Sequence, residues 1–169
     1  MLIHQGLEAS LPFHKGGYSL FNKARSDEIS QSLLGMQFRI GGRGDDGTID
    51  CYGVLKIYFK EFDLKLPDYS YVEDWCGQTE LYLQEYSKFF RKLDKDKDEE
   101  LEIGDMILFS REENTSHAGI YLGESKFIHS YQKAGTRIDS LTNPVWKAKI
   151  FGFFRVRETD CARAHNKGI

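Results

Sequence analysis

The apolar positions change their period partway along the chain. Up to about residue 93 they recur at helical spacing, and from about residue 104 they alternate. "NKARSDEISQSLL" sets Ile29, Leu33 and Leu34 at helical spacing, with acids near its start, and predicts a helix over 22–34. The glycines and aspartates of "GMQFRIGGRGDDGTID" predict a loop. A run opening at Cys51 then carries Val54, Leu55, Tyr58, Phe59 and Phe62 on one broad face, which predicts a central, buried helix. "LKLPDYSY" reads as a connection. "VEDWCGQTELYLQEYSKFFRKL", residues 72–93, predicts a further helix with Trp75, Leu81 or Tyr82, and Phe89 inward; Gly77 weakens its first turn and delays its start.

Beyond the charged "DKDKDEELE" come five short strand candidates: "GDMILFS", "HAGIYL", "KFIHSY", "TRIDSL" and "IFGFFRV". "NPVWKAK" predicts a helical turn before the last. Helices first and a meander second point to an α+β fold, with helices packed on an antiparallel sheet of five to six strands. The organisation is an N-terminal arm (1–20), one domain (21–157) with an insertion at about 63–103, and a polar C-terminal tail (158–169).

Composition narrows the functions. A formal charge of −3 gives no basic face for nucleic acid. No apolar run reaches the roughly 20 residues of a membrane helix. The first residues, "MLIHQGLEASLPFHKGG", lack the parts of an export signal, so work outside a cell is expected to need another route. The three cysteines, Cys51, Cys76 and Cys161, form no CxxC pair, and an odd count leaves a thiol free. Cys76 and Cys161 read as packing or surface thiols. Asp94, Asp96 and Asp98 have calcium-loop spacing, but Glu99 replaces the required Gly, so a solvated charge run is expected.

Cys51 differs by position. A helix N-terminus offers N–H groups and the positive end of the dipole, which favour thiolate and hold a developing oxyanion. Asp50 before it caps the helix or faces the loop. A nucleophilic Cys needs a base. Of five histidines, His4, His14 and His165 lie in weakly patterned ends, whereas His117 and His129 lie in strands. A three-residue turn at Gly123, Glu124 and Ser125 puts both on one sheet face, as diagonal neighbours about 7–8 Å apart. A two-residue turn would separate them. His117 is then the base, and His129 orients it. Trp75, Trp146 and the phenylalanines of "FGFFRV" read as core, and Arg43 as a loop residue facing solvent, with a carboxylate of a peptide as its functional alternative.

"GMQFRIGGRGDDGTIDCYG", "IGDMILFS", "SHAGIYLGESKFIHSY" and "FGFFRV" together closely resemble the NlpC family of papain-like cysteine peptidases, over about residues 25–157. The resemblance implies a papain-like α+β fold and cleavage of peptide stems in bacterial peptidoglycan. It implies Cys51 as nucleophile, His117 as base, His129 as third residue, and no metal or cofactor. Many members carry Tyr where this chain has Phe38, which removes one donor near the centre. Many carry Ser where this chain has Tyr52, close to the bound stem. Phe38, Asp50, Tyr52 and Arg43 are therefore the secondary candidates for substrate binding or oxyanion support. The "GGR" loop, the long insertion and "FIHSY" resemble single-domain members found among tail genes of long-tailed phages. That implies a virion tail-tip location, synthesis in the host cytoplasm, action in the wall, and other tail proteins as partners. The alternatives are a tail assembly protein with a vestigial site, and an amidase or acyltransferase on a non-wall substrate.

Overall fold

A computed structural model describes residues 21–68, 79–94, 99–111 and 114–157. The arm, the tail, Trp75, Cys76, Cys161, Asp96, Asp98 and the inward roles of Leu81 and Tyr82 lie outside what it describes. Among the described residues, no helix is long and apolar enough to cross a membrane.

Helix α1 (Lys23–Leu33) starts where the Asn22 side chain accepts the Arg25 N–H. It buries Ile29 and Leu33. Two short parallel strands, β1 (Gln37–Phe38) and β2 (Thr48–Ile49), lie within the stretch expected to be loop. Helix α2 (Cys51–Lys60) follows, and α3 (Thr79–Ser87) ends earlier than its pattern suggested.

The remaining strands are β3 (Phe90–Lys92), β4 (Met106–Arg111), β5 (Asn114–Gly123), β6 (Lys126–Tyr131), β7 (Gly135–Ser140) and β8 (Ile150–Val156). A turn of helix, α4 (Pro144–Lys147), precedes β8 and is capped by Asn143. These strands form one six-stranded sheet ordered β3-β8-β4-β5-β6-β7, every pair antiparallel. Strand β3 departs from the expected helix. Phe89 and Phe90 extend the apolar spacing of α3, but residues 90–92 pair with β8, Phe90 opposite Val156.

The main core lies between α2 and the sheet. Val54, Leu55, Tyr58 and Phe59 have no exposed surface, and they pack with Met106, Leu108, Ala118, Ile120 and Ile128. Helix α1 is tied to α2 through the Ser26 and Tyr58 hydroxyls, 2.6 Å apart. Ile107, Phe109 and Phe127 alternate to the other face, under Trp146, Ile150 and Phe153. In the charged segment, Glu99 receives Arg91 at 2.8 Å and the Asp94 N–H at 2.8 Å. The strand alternation therefore gives two clusters, with α2 on one side and α4 on the other.

Candidate active site

Asp50 sets the start of α2. One carboxylate oxygen accepts the Gly53 N–H at 2.6 Å and Arg43 at 2.9 Å; the other accepts the Gly41 N–H at 2.7 Å. The first of these is the N-cap bond that the sequence offered as one role for this residue. The chain before α2 packs closely against it. A Cβ at Gly53 would lie 2.5 Å from the Gly42 carbonyl oxygen and 2.7 Å from Ile49 Cγ1. The Ser130 hydroxyl donates to the Ile49 carbonyl at 2.8 Å, which ties the residues just before the thiol to β6. Cys51 is thus buried, at 3% exposure, on the first turn of a helix held from both sides.

The imidazoles come from the β5–β6 hairpin. Its turn has two residues, Glu124 and Ser125, both in the left-handed region, with Gly123 opposite Lys126. The expected shared face calls for a three-residue turn. A register shift between Tyr121 and Gly123 inserts Leu122 as an extra residue, so Ile120 still pairs with Ile128. The bulge restores the face that a plain two-residue turn would have lost. His117 Nε2 lies 2.7 Å from His129 Nδ1. Gly119, against His129, has no room for a side chain: a Cβ would sit 2.8 Å from Phe127 Cδ2 and 3.0 Å from the Ile128 carbonyl oxygen.

A carboxylate completes the row. His129 Nε2 lies 3.0 Å from Asp139 Oδ2, which also accepts the Trp146 indole N–H at 3.1 Å. Arg137 reaches the other Asp139 oxygen at 2.8 Å. Trp146 stacks on His117 with ring centroids 5.7 Å apart and meets His129 edge-on at 4.6 Å. Burial, then the neighbouring His129 and Lys149, hold the His117 imidazole well below the ordinary 6.5. Burial also lowers His129, while Asp139 pulls it back upward. Both shifts favour the neutral imidazole.

Cys51 and His117 line one cleft of about 180 Å³. Its lining includes the start of α2, the end of β6, Phe38, Ile40, Trp146 and Lys149. Phe38 and Asp50 are in this lining. Tyr52 and Arg43 are not. Tyr52 is 1% exposed and donates its hydroxyl to the Pro67 carbonyl at 2.7 Å, because residues 64–67 fold back over the first turn of α2. Arg43 is not a solvent-facing loop residue. It is held by Asp50 and by Asp68 at 3.1 Å, with its guanidinium over the Tyr52 ring. Trp146, expected in the core, forms a cleft wall. Asp139, Ile40 and Lys149 were not singled out in the sequence. The signal for Asp139 was the alternation of "TRIDSL", which becomes useful only once β6 and β7 are placed in register.

The fold and the cleft define an α+β domain in which a helix-start thiol shares a cleft with one imidazole of a hairpin-borne pair. The NlpC/P60 family profile matches residues 35–155, and the chain belongs to that family. It is 32% identical over 128 residues to the murein DD-endopeptidase MepS/murein LD-carboxypeptidase of Escherichia coli K12, covering 75% of this chain and 59% of that protein. A probable endopeptidase of Haemophilus influenzae is 35% identical over 137 residues, covering 79% of this chain and 73% of that one. Among solved structures, an NLP/P60 family protein from Staphylococcus aureus superposes with a TM-score of 0.60 at 19% identity, covering 80% of this chain and 42% of that one. An NlpC/P60 protein from Bacillus cereus gives 0.60 at 20% identity, covering 79% and 40%. These confirm the NlpC fold expected from the sequence.

Proposed function

We propose that the protein is a cysteine peptidase that hydrolyses peptide-stem amides of bacterial peptidoglycan. One observation carries the reading: a thiol at a helix N-terminus shares a cleft with an imidazole whose far nitrogen is held by a second imidazole at 2.7 Å. Support for the substrate comes from the relatives named as murein and probable endopeptidases.

His117 Nε2 is engaged by His129, so Nδ1 serves the thiol. The Cys51 proton passes to His117 as the sulfur attacks the scissile carbonyl. The N-terminal end of α2 stabilises the oxyanion. Collapse expels the amine, which takes its proton from the imidazolium and leaves a thioester. Water, deprotonated by His117, releases the acid and restores the thiol. Asp50 keeps the first turn of α2 in place, and Phe38 supplies an apolar wall in place of a hydroxyl donor. No step calls for a metal or cofactor.

The place of action is a phage tail tip, where other tail proteins hold the enzyme until it meets the wall. Support for this is the resemblance of the "GGR" loop and "FIHSY" to tail-encoded members. Mass spectrometry of purified virions tests it: peptides of this chain in the tail fraction are expected, and their absence from virions contradicts it. For the chemistry, the purified protein is incubated with sacculi and the released muropeptides are weighed. New stem fragments of defined mass are expected; an unchanged muropeptide profile contradicts the reading.

A further inference from the structure

We infer that Asp139 is a positioning residue, the distal member of a four-group row Cys51–His117–His129–Asp139, and that it decides which nitrogen of His117 carries the proton. The inference rests on the peptidase reading above and goes beyond its three residues.

Asp139 Oδ2 is a carboxylate oxygen 3.0 Å from His129 Nε2, so that nitrogen bears the hydrogen and donates. A neutral His129 then has a lone pair at Nδ1. His117 Nε2 lies 2.7 Å from that lone pair and must donate to it. A neutral His117 with hydrogen on Nε2 keeps its lone pair on Nδ1, the nitrogen that takes the thiol proton. Each tautomer follows from the one before, and the row ends on a carboxylate, which while ionised can only accept.

Without an anchor, the same two rings could hold the opposite arrangement. His129 would carry hydrogen on Nδ1 and donate to His117 Nε2, and His117 would present an N–H to the thiol. That form cannot act as base. Asp139 is built to exclude it. Its second oxygen is fixed by Arg137 at 2.8 Å, and Oδ2 also receives the Trp146 indole N–H at 3.1 Å. Both neighbours are donors, so the side chain is held as an acceptor toward His129. The cross-strand register explains how the chain achieves this. His129 pairs with Arg137, and Asp139 is the next residue on the same face, a diagonal neighbour. The negative charge also steadies the imidazolium that forms during attack.

The test compares the wild type with Asp139→Asn and Trp146→Phe. Nitrogen-15 imidazole NMR reads the tautomers directly and needs no turnover. The wild type is expected to show hydrogen on Nε2 of both His117 and His129. Asp139→Asn is expected to move a measurable fraction of His117 to the Nδ1–H form. It should also lower kcat on muropeptides by at least about tenfold with KM within about twofold, and shift the acid limb of kcat/KM to lower pH. Trp146→Phe removes a donor and keeps the acceptor, so His117 should stay on Nε2–H. The inference is overturned by unchanged tautomers in Asp139→Asn, or by an equal tautomer shift in Trp146→Phe. If the wild type cleaves no muropeptide, the proposed function fails, while the NMR result still decides the role of Asp139.

Discussion

Asp50→Ala removes the group that fixes the start of the nucleophile helix. The Asp50 side chain is 10% exposed, and its carboxylate receives two backbone N–H groups and one guanidinium, at 2.6, 2.7 and 2.9 Å. Loss of the cap alone costs about 0.5–2 kcal/mol. Arg43, with its side chain 15% exposed, then loses its inner partner and keeps Asp68, which is 47% exposed. Breaking one side of a fully buried pair costs about 3–5 kcal/mol, and the remaining partner reduces that here. The sum expected is about 2–4 kcal/mol, or a fall in Tm of about 5–15 °C. Asp50→Asn keeps one acceptor oxygen and should lose about 1–2 kcal/mol. Urea unfolding followed by far-UV circular dichroism measures both. The order wild type, Asn, Ala is expected; an Ala variant within about 0.5 kcal/mol of wild type would refute the reasoning.

Two further outcomes follow from the site. Both imidazoles are lowered in the folded chain, so the unfolded chain binds more protons just below pH 6.5. Their contribution to stability is therefore complete above about 6.5 and is lost as pH falls toward the folded values. Urea midpoints across pH 5–8 should decline on the acid side, and the His117→Gln, His129→Gln double variant should flatten that decline. Gly53→Ala forces a Cβ to 2.5 Å from the Gly42 carbonyl oxygen. It should cost about 1–3 kcal/mol and slow alkylation of the Cys51 thiol, read by mass spectrometry with iodoacetamide.

The start and face of α2 were legible because its burial is local and periodic: Val54, Leu55, Tyr58 and Phe59 sit where the spacing put them. The hairpin was legible only in part. The shared face of His117 and His129 held, but through a bulge at Leu122 that no residue type announces. Strand β3 was hidden because Phe89 and Phe90 continue a helical spacing, and only pairing with a strand some 60 residues later draws residues 90–92 out of it. The surroundings of Tyr52 and Arg43 were hidden for a related reason: residues 64–68 fold back and hold both side chains, so Arg43 does not face solvent. Asp139 and Trp146 depend on the β6–β7 register and on where α4 lands, which are long-range facts.

The central claim is that the Cys51 sulfur is the nucleophile. Wild type and Cys51→Ala are incubated with the same sacculi, and the muropeptides are compared by mass spectrometry. Circular dichroism checks that both remain folded. Loss of a buried sulfur next to the cap should leave the fold intact while removing the attacking atom, so new stem fragments are expected with wild type and none with Cys51→Ala. Equal fragment release by a folded Cys51→Ala variant would contradict the account.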